Sequence, residues 1–567
     1  MFKKTINKFK QRKYSAKDIA LDEVFLDSQN LPSFDQNQLE GRIEKPISKQ
    51  VVTIIFFTFI LIFLSFLLKI GSLQIVNGQK FAEISKENSL RHTLIFADRG
   101  IVYDRNHVPL IWNVRTENDE DFSLRKYIEK PGFANLLGYV KYPKKDSSGF
   151  YYTESFEGIG GLEQYFDEII SGKNGLKIIE TNALMDVVGN NTIQDPVSGK
   201  SLALSIDADL QSKLYSTIAD IAGQVGFKGG SGVIMDVHAG EILAVTSYPE
   251  FDSNVLTEGS DKEAINNYLN DTNNRFLNRA TKGLYTPGSI LKPFVALGAL
   301  NEGVISPTKE ILSVKNMEVP NPYDPSNPSI FTDWKAHGYV NVYSALAYSS
   351  NVYFYQVAGG YTPTGQKGIG ITKLEQYFRS FGFGDDIDDE FLGGKQGTIP
   401  NPKWKMENFD GDDWRLGDTY FTAIGQYGVQ VTPVQIARAV SAIANNGKLI
   451  EPTVKLDDSV TILRNIDNIS QGNFDIVKKG MRDAVLYGTA KGLNLSNVEI
   501  AAKTGTAELG VSKENVNSSV VGFFPYQEPK YAFVVVMEQG SRSNFIGGVA
   551  VMRQVLDWIN IYRPEYF

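Results

Sequence analysis

Residues Val51 to Leu68 carry no charge and scarcely a polar atom, and Lys69 closes the run. With Ile70 the stretch is about 20 residues, roughly 30 Å as a helix, which matches the hydrocarbon thickness of a bilayer. No polar stripe interrupts it, so a helix in a protein core is the poorer reading. The chain is expected to cross a membrane once here and to fold its bulk on one side.

The run starts at Val51 and no A-x-A-like site follows it, so a removable signal peptide is not expected. Basic residues near its two ends balance, Arg42, Lys45 and Lys49 against Lys69, Lys80 and Lys86. The extreme N-terminus decides the orientation, because Lys3, Lys4, Lys8, Lys10, Arg12, Lys13 and Lys17 occur there without an acid. A polar tail, 1–50, is thus expected in the cytoplasm, a transmembrane helix over 51–70, and the rest outside.

Several chemistries can be set aside. The 567 residues contain no cysteine, which removes disulfides, thiolate nucleophiles and thiolate metal sites. The formal net charge of −8 argues against nucleic acid as a partner. Neither a phosphate-binding G-x-x-x-x-G-K-[ST] loop nor a G-x-S-x-G elbow occurs, and only four histidines are available to a serine triad. Asp333 and His337 stand at i,i+4 as two potential metal ligands, but no third is evident; no metal or other cofactor is expected.

Beyond the membrane, alternation from Leu94 to Val102 suggests strands, Asp104 to His107 a turn, and Gly158 to Glu163 a turn entering a helix. Arg99 and Asp104 read as structural ion-pair residues. A boundary is expected just before Ser201, separating 71–200 from 201–567. In the latter, strands at Gly232–Val237 and Glu241–Thr246 flank a turn at His238–Gly240, and His238 is expected to serve that turn. Helical periods dominate from Lys262 to about Arg482. Strands return at Val498–Thr504, Ser519–Phe524 and Tyr531–Met537, and an amphipathic helix covers Val549–Ile561. The order suggests an α+β fold in which one antiparallel sheet is assembled from both ends of the domain, with a helical excursion beside it.

The cleft between them should carry the chemistry. Ser289 and Lys292 follow the break Pro287-Gly288, and Pro293 is tolerated only in a helix's first turn, so a helix must begin near Ser289. A serine and a lysine then share one face, close to the backbone N–H groups of a helix start. The spacing alone is weak: Ser306 and Lys309 repeat it, where Ser306-Pro307 reads as an ordinary helix N-cap. Two further polar groups follow, Ser349-Ser350-Asn351 after a helical pattern and Lys503-Thr504-Gly505-Thr506 on a strand. Gly505 weakens a strand and asks for close approach of another backbone.

In this order, Ser289/Lys292, Ser349/Asn351 and Lys503/Thr504/Gly505 resemble the S-x-x-K, S-x-N and K-T-G motifs of penicillin-binding serine acyltransferases. Together with the anchor, Leu73–Gly78, Arg99–Asn106, Gly158–Glu163, Asn278–Ala280 and Thr432–Ala437, the chain is similar to class B penicillin-binding proteins over roughly residues 45–550. Asp333–Gly338 and Trp414–Thr419 with Ala423–Gln426 resemble its elongation-specific branch; the division-specific branch is the alternative. His107 stands where the family usually has glycine, and the span Leu110 to Gly158 looks short for it.

The resemblance implies a transpeptidase domain with a five-stranded antiparallel sheet and a helical subdomain, on a mixed α/β pedestal. It implies a peptidoglycan D,D-transpeptidase that β-lactams acylate, with Ser289 as nucleophile and Lys292, Ser349 and Lys503 in proton transfer. Asn351, Thr504, Gly505 and Thr506 would bind a D-Ala-D-Ala stem peptide added along the strand. The implied partners are a SEDS-type membrane glycosyltransferase and the rod-shape complex, at the inner membrane with the catalytic part in the periplasm. A serine β-lactamase or carboxypeptidase, and a non-catalytic penicillin-binding scaffold, are the readings of different class; the first needs a deacylating water and the second has no reason to keep every motif side chain.

Overall fold

The structure, a computed structural model, describes residues 48–567 apart from 116–120, 148–150, 182–186, 322–323, 325, 386, 388–391, 393, 457 and 511. The expected N-terminal tail lies almost wholly outside the described residues. Two compact units are present, one ending at Ser89 and one spanning Leu90–Phe567.

In the first unit Ser48 caps helix α1 (Lys49–Gly71), its hydroxyl accepting from the Val51 N–H. A π-helical turn, Ser72–Val76, continues it. Lys49–Val76 is the one helix among the described residues long and apolar enough to cross a membrane. Its apolar side chains are exposed all round, as a lipid-facing helix requires, while its backbone groups are satisfied internally.

The second unit begins with small sheets. Leu90–Ile95, Gly175–Thr181 and Val187–Gln194 form one sheet; Leu124–Tyr127, Pro109–Val114, Val102–Tyr103 and Leu202–Ala203 form another. Arg99, and Arg125 from the second of these sheets, converge on the fully buried Glu163, at 2.6 and 2.7 Å. Asp104 is no ion-pair partner of Arg99. It accepts from the N–H groups of Asn106, Val108 and Ala208, thereby closing the expected turn. His107 in that turn has φ +60°, the left-handed region that favours the glycine usual in the family.

A five-stranded antiparallel sheet carries the rest. Its strands are β1 (Gly229–Asp236), β2 (Ile242–Tyr248), β3 (Ala501–Leu509), β4 (Asn515–Phe524) and β5 (Tyr531–Ser541), in the order β2-β1-β5-β4-β3. β1 thus pairs with the last strand and carries β2 outside it, and β3 is left at the opposite edge. Helix α2 (Ala208–Val225) precedes the sheet. The excursion contains α3 (Lys292–Asn301), α4 (Val342–Tyr348), α5 (Asn351–Gly359), α6 (Pro433–Ala444) and α7 (Gln471–Leu486), and α8 (Gly548–Tyr562) ends the domain.

Strand alternation divides the apolar side chains between two cores. Phe533, Val535 and Met537 of β5 pack with Leu214 and Ile218 of α2 and with Val555 and Ile559 of α8. Val534 and Val536 face the other way, onto α6, in the core that also holds the buried helix α3. Each fully buried apolar side chain is worth about 1.5–3 kcal/mol, and α3 is buried from Lys292 to Leu300, so it is gripped along its length.

The helical excursion also contains strand pairs that periodicity did not predict: Ile311–Ser313 with Gly338–Val340, Asn316–Val319 with Ser329–Thr332, and Lys448–Ile450 with Ile462–Asn465. All are three or four residues long, too short to impose a two-residue period on the sequence.

Candidate active site

Ser289 lies in a single 3-10 turn, Gly288–Leu291, that runs directly into α3, with Pro293 in the first turn as anticipated. Gly288 has φ +61°, and a Cβ there would lie 3.0 Å from the Thr506 carbonyl oxygen. Only glycine lets the turn adopt this conformation so close to β3. The Gly288 N–H donates to the Gly425 carbonyl at 2.9 Å, and Tyr285 exchanges two backbone hydrogen bonds with Val431. Upstream, Arg279 is clamped to Glu538 of β5 at 2.5 Å. The Ser289 turn is therefore tied to the sheet and to the excursion on both flanks.

Lys292 is fully buried, and its ammonium donates to the Ser349 carbonyl and to Asn351 Oδ1, both at 2.7 Å, with Ser349 Oγ at 3.3 Å. Lys503, on β3, is equally buried and donates to Ser349 Oγ at 2.8 Å and to the Thr504 carbonyl at 2.9 Å. Both lysines thus converge on one hydroxyl. Ser349 itself follows α4 in the left-handed region, φ +59°, where Asn351 opens α5.

Two ammonium groups cannot both be charged cheaply in such a place. Burial pulls the Lys292 pKa down to about 7, with the Asp333 carboxylate pulling the other way. Burial, then Lys292, holds Lys503 well below the usual lysine range. At neutral pH a neutral Lys292 is accessible, which is the state a general base requires.

Ser289, Ser349, Asn351, Thr504, Gly505 and Thr506 line one cavity of about 850 Å³, with Lys292 and Lys503 behind its wall. All eight residues anticipated from the motifs therefore meet in one place. Thr504 donates to Thr489 Oγ1 at 2.6 Å, and Thr489, which no motif flagged, also lines the cavity. β3 presents its free edge.

Gly505 corrects the expectation that a bound substrate explains it. A Cβ there would sit 2.8 Å from both the Pro287 carbonyl oxygen and Ile290 Cγ2, and 2.5 Å from Ser519 Oγ. The close backbone is the protein's own turn, the one that carries Ser289. The second serine–lysine pair is also corrected: Ser306 starts no helix but a turn closed by the Lys309 N–H to the Ser306 carbonyl. His238 lies in the β1–β2 turn and joins it to the Pro529 carbonyl at 3.0 Å. Asp333 and His337 approach to 3.7 Å, and among the described residues no third histidine or carboxylate completes a metal site.

Residues 230–557 match the penicillin binding protein transpeptidase domain and residues 119–204 the penicillin-binding protein dimerisation domain. The chain belongs to the penicillin-binding protein transpeptidase family. The peptidoglycan D,D-transpeptidase MrdA of Haemophilus influenzae is 29% identical over 78% of this chain and 70% of its own length. Penicillin-binding protein 2 of Pseudomonas aeruginosa, solved in complex with WCK 5153, superposes with TM-score 0.65 at 29% identity, covering 83% of this chain and 98% of that one. The Helicobacter pylori penicillin-binding protein 2, solved with MreC, shares the fold with TM-score 0.68 at 24% identity, over 84% of this chain and 99% of that one.

Proposed function

We propose that this chain is the elongation-branch peptidoglycan D,D-transpeptidase, which crosslinks stem peptides through an ester on Ser289. The observation that carries the reading is the convergence of two buried lysines on Ser349, beside Ser289 in one cavity. The likeness to MrdA proteins supports the same activity.

Neutral Lys292 takes the Ser289 proton as the oxygen attacks the carbonyl of a D-Ala-D-Ala stem. The backbone N–H groups of Ser289 and Thr506 receive the developing oxyanion. Ser349, tuned by Lys503, passes a proton to the departing D-alanine nitrogen, and Asn351 holds the substrate amide. Thr504 and Thr506 receive the terminal carboxylate. The stem peptide adds as a strand to the free edge of β3. The amine of a neighbouring stem then attacks the ester, regenerating Ser289 and forming the crosslink. No cofactor has a part in this sequence.

The division of labour follows the same reading: a pedestal over 71–200 and a transpeptidase domain over 201–567. α1 anchors the chain in the inner membrane with its tail in the cytoplasm and the catalytic domain in the periplasm. Its apolar face is the contact for a SEDS-type glycosyltransferase; scrambling Val51–Leu68 at constant hydrophobicity should abolish co-purification.

Labelling with a fluorescent penicillin, with the adduct mapped by mass spectrometry, tests the core of the proposal. The label should reside on Ser289, vanish in Ser289→Ala, and persist, since rapid loss would mark a hydrolase. Label on any other residue would overturn the assignment.

A further inference from the structure

One buried carboxylate lies against this machinery without a task in it. Asp333 follows the strand Ser329–Thr332 and is 4% exposed. Its Oδ2 accepts from the Ser350 hydroxyl at 2.8 Å, the Ser313 hydroxyl at 3.1 Å and the Val352 N–H at 3.1 Å. Its Oδ1 accepts from the Trp334 N–H at 2.9 Å. The Ser313 and Ser350 hydroxyls are themselves 2.8 Å apart and fully buried.

Two of these donors, Ser350 and Val352, bracket Asn351, and Ser350 directly follows Ser349. Ser349 and Asn351 are the two residues that hold the Lys292 ammonium. Ser349 also has a backbone conformation that a non-glycine residue keeps only when its surroundings over-determine it. Three hydrogen bonds to one buried carboxylate oxygen are such a constraint, because charged acceptors bind roughly twice as strongly as neutral ones.

We propose that Asp333 is a positioning residue for acyl transfer, pinning the Ser349–Asn351 turn that holds Lys292 and supplying a negative charge that counters that lysine. The inference rests on Ser289 being the nucleophile, as argued above. Lys292 from α3, Tyr355 from α5 and His337 from its own loop face the carboxylate; Lys335 lies beside His337, and Lys503 on β3 faces Lys292. Because Asp333 holds a proton on Lys292 against the effect of burial, removing its charge lowers the pH at which Lys292 becomes a base.

The test is the second-order rate of Ser289 acylation by a fluorescent penicillin, on the full chain in detergent, from about pH 5 to 9. Asp333→Asn should lower the plateau on the order of a hundredfold, as misplacement of reacting groups does, and move the acid limb to lower pH. Ser350→Ala removes the hydroxyl's bond to Asp333, together with its contact to Ser313 and its cap on the Tyr353 N–H, while leaving the charge, so its plateau should fall with the acid limb unmoved. A carboxylate that merely stabilises the fold would reduce the melting temperature and the fraction of protein that labels. It would leave the rate profile of the labelled fraction at its wild-type position, and that result overturns the proposal. Should Asp333→Asn give no folded protein, Ser350→Ala decides alone, and a wild-type plateau there overturns it. Wild-type label away from Ser289 would overturn the acyl-transfer assignment as well, a result distinct from either variant's.

Discussion

Lys503 donates a 2.8 Å hydrogen bond to the Ser349 hydroxyl across 154 residues of chain. One residue ends a helix of the excursion and the other lies on a sheet strand, so the bond spans the cleft. The second lysine reaches the same hydroxyl from α3, and the site is defined by this three-way meeting rather than by any one motif.

Lys292→Met should reduce Ser289 acylation by about 10²–10⁴-fold, the usual worth of a positioned base. Lys292→Arg should be comparably inactive, because a guanidinium cannot give up its proton in this range. Stopped-flow acylation with a chromogenic β-lactam measures both, and wild-type activity in the arginine variant would remove Lys292 from the role of base.

The pH dependence has a definite sign. As the proposed base Lys292 acts only when neutral, and burial brings its pKa down to about 7, so the acylation rate should climb through about pH 7 and level off above it. The same shift bears on stability. Between pH 7 and 10.5 the unfolded lysine binds a proton that the folded one lacks, so this residue's contribution should favour the fold increasingly as pH rises through that window. Denaturant midpoints of wild type and Lys292→Met, compared across the window, isolate it.

Gly505→Ala should leave secondary structure intact but slow acylation on the order of a hundredfold. The added methyl would push on the Pro287 carbonyl and Ile290, displacing the turn that holds Ser289. Circular dichroism and labelling rate, read on the same sample, separate this from unfolding.

Far from the cleft, Glu163→Ala should cost about 3–5 kcal/mol of stability, because it leaves the Arg99 and Arg125 guanidinium groups buried without their shared partner. Chemical denaturation of the full chain measures the loss, and labelling of the protein that remains folded should keep its wild-type rate.

Much of the site could be read in the sequence because its parts are local. Ser289 and Lys292 sit one turn apart after a Pro-Gly break, and a lysine in Lys503-Thr504-Gly505 is conspicuous on an otherwise apolar strand. What escaped notice depends on partners distant in the chain. β3 was expected to stop at Thr504 but continues to Leu509, because pairing with β4 holds its polar half in place. The reason for Gly505 lies in Pro287, and that of Asp333 in Ser313 and Ser350, and no periodicity connects them. The helix start expected at Ser306 failed for the complementary reason: a good N-cap does not make a helix where no apolar face follows to be buried.

The pairing of β1 with β5 imposes an order on the protein's birth. During synthesis Ser289 and Lys292 emerge long before Tyr531–Ser541, yet the sheet that backs the Ser289 turn cannot close until that last strand joins β1 to β4. The acylating serine should therefore stay inert throughout elongation of the nascent chain. Nonsense truncations ahead of Tyr531 ought to produce silent polypeptides rather than unregulated acyltransferases.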